Sequence, residues 1–158
     1  MYVMYNAGYC QLDNSAAKVI AKKLPHLVRL AIQFNNIDAK GLESILDGLT
    51  DVKISLWVIE NDSAKNPLGD EGLIALTKAS GKLKLKQLGI QCCGASSRGF
   101  TDIARHMTSV EWLSIDGNQV DESIAEAIAS NLKQLKWLTV DKTGLTEKML
   151  LRIVSGFP

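Results

Sequence analysis

The chain has 158 residues, a formal net charge of +1 and a hydrophobic content of 46%. This length suits one ordinary domain with a real core, and the apolar content excludes a disordered chain. The near-balanced charge gives no reason to expect binding to nucleic acid or to a membrane surface. No apolar run approaches the roughly 20 residues of a membrane helix, and the first residues lack a signal core, so we expect a cytoplasmic protein.

The three cysteines do not form a disulfide framework. Cys10 is isolated, whereas Cys92 and Cys93 are adjacent, and that spacing fits no zinc motif. An odd cysteine count without a framework indicates reduced thiols in a reducing compartment. We therefore expect no metal and no cofactor.

A pattern of apolar residues with one Asn and one Gly recurs along the chain. Its clearest copy is Leu27, Leu30, Ile32, Asn35, Ile37, Gly41, Ile45 and Leu49. Later copies run over 85–103, 110–132 and 135–153, with Cys93 and Thr143 at the Asn position. The pattern predicts one domain over 1–158, made of six units of approximately 1–26, 27–52, 53–84, 85–109, 110–134 and 135–158.

Two of the six units are less regular. In the first, Val3 and Asn6 are followed late by Leu12, which predicts an insertion at 7–11. In the third, Asn61 opens an Asn-to-Gly spacing longer by five residues, which we assign to an inserted loop at 62–67. Both insertions would leave the same edge of a sheet, where a rim to its face and a tolerated surface loop are both open interpretations.

Each unit changes its periodicity in the middle. The first half alternates with period two, as a half-buried strand does, and the second half has helical spacing. In the fifth unit this spacing places Ile124 and Ile128 on one inward face. Stacked strand–helix units bury one continuous core. Because helices are wider than strands, we expect the stack to curve with its parallel sheet on the inside.

The segment Leu27-x-x-Leu30-x-Ile32-x-x-Asn35-x-Ile37-x-x-x-Gly41 resembles the leucine-rich repeat in the form found in the ribonuclease-inhibitor-like group. About six copies in phase cover nearly the whole chain. Departures from the repeat are Cys93 and Thr143 at the Asn position and Ile124 and Met149 at the Gly position. The resemblance implies an α/β leucine-rich-repeat solenoid, a horseshoe or arc with the sheet concave and the helices convex. It also implies a protein–protein interaction module.

The group includes inhibitors, innate-immune receptors, GTPase activators and bacterial proteins delivered into host cells. The short units favour a bacterial or protist origin, so a bacterial effector is one possible identity.

The concave face is where we expect a partner protein to bind. Its predicted binding residues are Tyr2, Arg29, Gln33, Phe34, Trp57, Ile59, Glu60, Gln91, Trp112, Asp116, Trp137 and Asp141. All three tryptophans fall on this face, and Trp112 and Trp137 occupy equivalent positions on adjacent strands. Aromatic residues gathered on an exposed sheet are typical of interface anchors, although they also stiffen a sheet through cross-strand packing.

Three functions compete for this face. We favour a binding module without catalytic activity. A regulator acting in trans on an enzyme, either GTPase-activator-like or an inhibitor, would need a polar cluster around Arg29, the only predicted concave arginine. A hydrolase would need Asp116 and Asp141 in a closed pocket, which an open sheet does not provide.

The two ends of the chain suggest further contacts. The chain starts inside a predicted strand and finishes just after a predicted helix, and neither end resembles a polar cap. We therefore expect it to be part of a larger protein with additional domains, or to self-associate end to end.

Overall fold

The computed structural model describes residues 3–7, 10–32, 35–49, 55–57, 66–81, 83 and 85–157, with backbone alone for 3–5, 28 and 55–57. In these residues six strands alternate with six helices. Their bounds are β1 Val3–Asn6, α1 Asn14–Lys23, β2 Leu27–Ala31, α2 Ala39–Gly48, β3 Ser55–Trp57, α3 Gly69–Lys78, β4 Gln87–Gly89, α4 Ser97–His106, β5 Trp112–Ser114, α5 Glu122–Asn131, β6 Trp137–Thr139 and α6 Glu147–Ser155.

The strands form one short parallel sheet in the order β1 to β6, so each strand pairs with its neighbours in sequence. Leu30, Leu88 and Leu113 lie at one level of the register and are buried beneath the sheet. Each helix packs against the helices of the neighbouring units. The predicted α/β class and the predicted strand–helix alternation are confirmed.

The helices cover one side of the sheet and close the core. In α5, Ile124 and Ile128 are buried, as their spacing predicted. None of the described helices is both long and apolar enough to cross a membrane.

Buried asparagines beyond the strands of the second, third and fifth units tie neighbouring units together. Asn35 Nδ2 donates to Ala7 O at 2.8 Å and to Ile32 O at 2.9 Å, while its Oδ1 accepts from Cys10 N and Leu12 N. One side chain thus satisfies four backbone groups of two units. We call this place in each unit the ladder position.

The same bonds recur in two later units. Asn118 donates to Ile90 O and Ile115 O and accepts from Cys93 N. Asn66 donates to Ile32 O and accepts from Ile37 N, so it occupies the ladder position of the third unit. The prediction that Asn61 holds this position is therefore wrong. Asn61 itself lies outside the described residues.

The position of Asn66 also moves the insertion of the third unit. The predicted loop at 62–67 includes Asn66, which is fully buried and holds the ladder position, so the predicted bounds are wrong. The extra residues precede Asn66 and fall within 58–65, which is outside the described part of the chain.

From Tyr5 onwards the first unit has the spacing of the second unit, so the predicted insertion at 7–11 is wrong; a shift of register lies earlier, between Val3 and Met4. The sheet register pairs Tyr5 with Leu30, and buried Ala7 follows where Ile32 follows in the next unit. Cys10 N bonds to Asn35 Oδ1 as Cys93 N bonds to Asn118 Oδ1, so Cys10 holds the ladder position. The prediction was wrong here because Asn6 has the residue type expected at the ladder position, whereas Cys10 occupies that position.

The helix N-caps confirm this spacing. Asp13, Asp38 and Asp121 each follow the ladder position by three residues, and each accepts two backbone N–H groups of the helix it starts. Ser96 and Thr146 cap α4 and α6 from the same place. Ladder position and cap therefore form a fixed module in these units.

The ladder predicts a large difference between two neighbouring asparagines. Asn35→Ala would leave up to four buried backbone groups without a partner, so we expect it to lower the free energy of unfolding by about 3 kcal/mol. Asn36 is exposed, and Asn36→Ala serves as the matched control, with an expected change within about 0.5 kcal/mol. Urea denaturation of both variants measures this, and equal losses would contradict the ladder.

Candidate functional site

The register of the sheet defines three rows of residues on the side away from the helices, and we call this side the sheet face. The first row is Met4, Arg29, Ser55, Gln87, Trp112 and Trp137. The second is Asn6, Ala31, Trp57, Gly89, Ser114 and Thr139. The third lies just beyond the strands and includes Gln91, Asp116 and Asp141. Alternate residues of a strand share one face, so these rows lie opposite the buried leucines.

Trp112 and Trp137 are directly paired across β5 and β6, as predicted. Their backbones lie about 4.8 Å apart, the spacing of adjacent strands. Trp112 is half-buried, whereas Trp137 is 62% exposed and belongs to the small group of large apolar side chains that the described structure leaves in solvent. Among the described side chains, this pair is the main apolar feature of the sheet face.

Other predicted aromatic and polar positions fall partly or wholly outside the described residues. The backbone of Trp57 lies in the second row, two residues further along its strand than the level of Trp112. Its side chain is not described. Tyr2, Gln33, Phe34, Ile59 and Glu60 lie outside the described residues.

Arg29 is exposed on the sheet face and reaches across β3. Its Nη2 donates to Gln87 Oε1 at 3.4 Å. Both residues belong to the first row, so this bond links two strands that are not neighbours. The guanidinium is thus partly committed to the sheet, which does not favour its use on a nucleotide of a partner.

The two acids predicted to be equivalent have different surroundings. Asp116 is half-buried and accepts three hydrogen bonds. Its Oδ2 accepts from the hydroxyls of Ser114 and Thr139, both at 2.9 Å, and its Oδ1 accepts from Asp141 N at 2.7 Å. The Asp141 carboxylate is exposed. Asp116 therefore holds the last two units together, and Asp141 presents the negative charge to solvent.

This arrangement does not make a catalytic carboxylate pair. Asp116 contacts the backbone N–H of Asp141 and not its carboxylate. Two carboxylates that share acid–base work need a common proton or a common substrate. Here the oxygens of Asp116 are taken up by donors of the sheet itself.

Gln91 does not lie on the exposed surface, and its prediction as an exposed binding residue is wrong. The side chain is only 2% exposed, and its Oε1 has no hydrogen-bond partner. Gln91 belongs to an interior unit, where Ile90 N and Cys92 N continue the pairing with the next unit. Gln91 therefore has a neighbouring unit on both sides, whereas Asp141 of the sixth unit has a neighbour on one side only within the described sheet.

A charged triplet, not anticipated from the sequence, lies at the start of the strands. Glu111 Oε1 accepts from Lys86 Nζ at 2.5 Å, and Glu111 Oε2 accepts from Lys136 Nζ at 2.8 Å. Hydrogen bonds from Lys136 and Lys86 lower the pKa of Glu111 to about 2. The sequence contains a signal for this triplet, because Lys86, Glu111 and Lys136 each directly precede a strand, at the same position of three successive repeats.

Cys93 has a structural role at the opposite end of the sheet, beyond the end of β4. Cys93 holds a ladder position, and burial raises the pKa of its thiol to about 12. It is therefore protonated at neutral pH and is a poor metal ligand. The described residues contain no group of three or more His, Cys, Asp or Glu side chains placed to hold a metal ion.

The two acids should respond differently to the same substitution. Asp116→Asn removes the negative charge that strengthens three hydrogen bonds and requires the Ser114 and Thr139 hydroxyls to reorient as acceptors, so we expect a loss of about 1–2 kcal/mol in the free energy of unfolding. Asp141→Asn, the matched control, should change it by less than about 0.5 kcal/mol. Urea unfolding at neutral pH compares them, and a larger loss for Asp141→Asn would refute the assignment.

The charged triplet gives a pH dependence of defined sign. Glu111 has a pKa lowered from 4.5 to about 2, so its ionised form stabilises the fold above about pH 4.5. This contribution is lost as the pH falls towards 2. The stability difference between wild type and Glu111→Gln should therefore shrink across this window and also shrink in high salt. Thermal melts at several pH values measure it, and parallel curves for the two proteins would disprove it.

Comparison with known proteins found one family match. A family model described as Leucine Rich repeat matches residues 23–46, which contain β2 and most of α2. The matched segment contains Asn35, which holds the ladder position, and Asp38, which caps α2. No curated protein matched the chain. Leucine-rich-repeat domains are generally modules without enzymatic activity that bind other proteins. The match supports a leucine-rich-repeat protein.

Proposed function

We propose that this protein is a non-catalytic module that binds another protein on the sheet face. In this proposal the six units form a curved solenoid of the ribonuclease-inhibitor-like group. Support comes from the sequential parallel sheet with its helices on the other side. A helix is about 10–12 Å wide and strands are about 4.8 Å apart, so stacking favours curvature with the sheet on the concave side.

The observation that carries the proposal is the pairing of Trp112 and Trp137 on the sheet face. An exposed tryptophan leaves a large apolar surface in water, and Trp137 is 62% exposed. Tryptophan is enriched among the residues that dominate binding energy. Cross-strand packing alone would account for Trp112, which is half-buried, but not for Trp137 at the sheet edge.

The polar end of the sheet face defines the second feature of the partner. Asp141 lies two residues beyond the end of β6, in the turn that follows the strand of Trp137. Its backbone N–H is held by Asp116, and its carboxylate is exposed. A partner that places an apolar group on the tryptophans and a Lys or Arg at this turn would match both features.

The competing functions receive less support from the geometry. Asp116 is occupied by Ser114, Thr139 and the backbone of Asp141, which disfavours hydrolysis. Arg29 donates to Gln87, which disfavours a trans-acting arginine. The reduced thiols of Cys92 and Cys93 agree with the proposed cytoplasmic location.

The tryptophan pair can be tested by comparative capture. Wild type, a Trp112→Ala/Trp137→Ala variant and a Val19→Ala control would be immobilised and exposed to the same cell extract. Val19 is similarly exposed, at 59%, but lies on α1. We expect proteins that bind wild type and the control to be lost from the double variant.

The captured protein would then be purified and its affinity measured. Loss of two anchors should weaken binding by at least about 2 kcal/mol, or roughly thirtyfold in Kd. Far-UV circular dichroism would establish that the variant is folded. A folded double variant with unchanged affinity would refute the proposed binding face.

A further inference from the structure

The outer side of the sixth unit is apolar and exposed. It is formed by β6, the following turn and α6, and we call it the end face. Its lining residues include Trp137, Val140, Leu145, Leu150, Val154 and Phe157. Leu150 is 47% exposed and Val154 is 59% exposed.

Comparison with the earlier helices shows why this exposure is unusual. Leu150 and Val154 follow the ladder position by seven and eleven residues. The residues at these places in α2 to α5 are Leu42 and Leu46, Leu73 and Thr77, Phe100 and Ala104, and Ala125 and Ala129. All eight are buried, with at most 7% exposure. The end face thus has the composition of a surface that is covered elsewhere by the next unit.

The edge of the sheet reinforces this conclusion. Just after β5, Ile115 N donates to Thr139 O and Gly117 N donates to Asp141 O, so the fifth unit directs backbone donors to the sixth. β6 is one of the two edge strands of the described sheet. An edge strand beside an apolar helix face offers both main-chain and side-chain contacts to another chain.

We propose that the end face binds the end face of a second copy of this chain around a two-fold axis. In this dimer β6 and α6 of one copy run antiparallel to β6 and α6 of the other. The contact is isologous, so it closes at two copies. It shares Trp137 and Asp141 with the sheet face, whereas Leu150 and Val154 lie on α6 and outside that face, so the dimer goes beyond the proposed partner binding.

Charge complementarity favours this occupant. Lys136 and Asp141 are both exposed and lie at opposite ends of β6. The antiparallel arrangement brings the Lys136 end of one strand to the Asp141 end of the other. In the same way, exposed Glu147 in the first turn of α6 approaches Lys133 of the second copy, whose Nζ bonds to Gly156 O at the helix end.

A head-to-tail contact with the first unit of another copy lacks this complementarity. The triplet Lys86, Glu111 and Lys136 alternates in sign, so the next unit would need an acid where the first unit has Val3. Glu122 pairs with Lys148 of the next helix, so Glu147 would need a base where the first unit has Ser15. Head-to-tail contacts also generate open chains unless the rotation closes them.

The oligomeric state of the 158-residue chain tests the proposal. Sedimentation velocity and light scattering across the micromolar range should give twice the 17.2 kDa monomer mass. Leu150→Glu/Val154→Glu should be folded by circular dichroism and monomeric. Val19→Glu, with a similarly exposed valine on α1, should remain dimeric.

A second variant is independent of the apolar contact. Asp141→Lys should raise the dimer dissociation constant by about tenfold at low salt, and less at high salt, because it opposes Lys136 of the second copy. A monomer at all concentrations overturns the proposal and leaves the end face to another occupant, such as a repeat unit of a different protein. A dimer that survives in Leu150→Glu/Val154→Glu, or that is lost equally in Val19→Glu, also overturns it. Leu150 and Val154 are not part of the sheet face, so failure of the dimer is distinguishable from failure of partner binding.

Discussion

Hydrogen bonds from buried asparagines of the second, third and fifth units to the backbone of the preceding unit set the spacing of the fold. A strand that turns into a helix leaves polar backbone groups at the corner, and these must be paired when the next unit buries them. Asn35, Asn66 and Asn118 pair them in two units at once. The sheet register, the helix caps and the rows of the sheet face all follow from this spacing.

The regular spacing of the units determines which side chains are neighbours on the sheet face. Because each unit repeats the same turn, residues at one place in the repeat become neighbours in space. Trp112 and Trp137 are adjacent for this reason, and so are Asp116 and Asp141. Like the first unit, the sixth unit has a neighbour on one side only within the described sheet. Trp137 and Asp141 are accordingly more exposed than Trp112 and Asp116 of the fifth unit.

Periodicity was sufficient to predict the strand–helix units, the buried face of α5 and the tryptophan pair. It was not sufficient where two residues of like chemistry compete for one place, as with Asn61 and Asn66, or where an unexpected residue such as Cys10 holds it. The burial of Gln91 and the unequal roles of Asp116 and Asp141 depend on lateral neighbours. Such contacts join residues about 25 positions apart, and a pattern within one unit does not contain them.

The extra residues of the third unit precede Asn66, which indicates where a repeat of this kind can gain length. The distance from Asn66 to Gly72 equals that from Asn35 to Gly41 in the second unit, so the extra length is confined to the stretch before the ladder position. Residues added after that position would separate the ladder from the helix that follows it. We therefore expect this repeat to tolerate added length before the ladder position and not after it, so that a unit can lengthen while its buried corner is preserved.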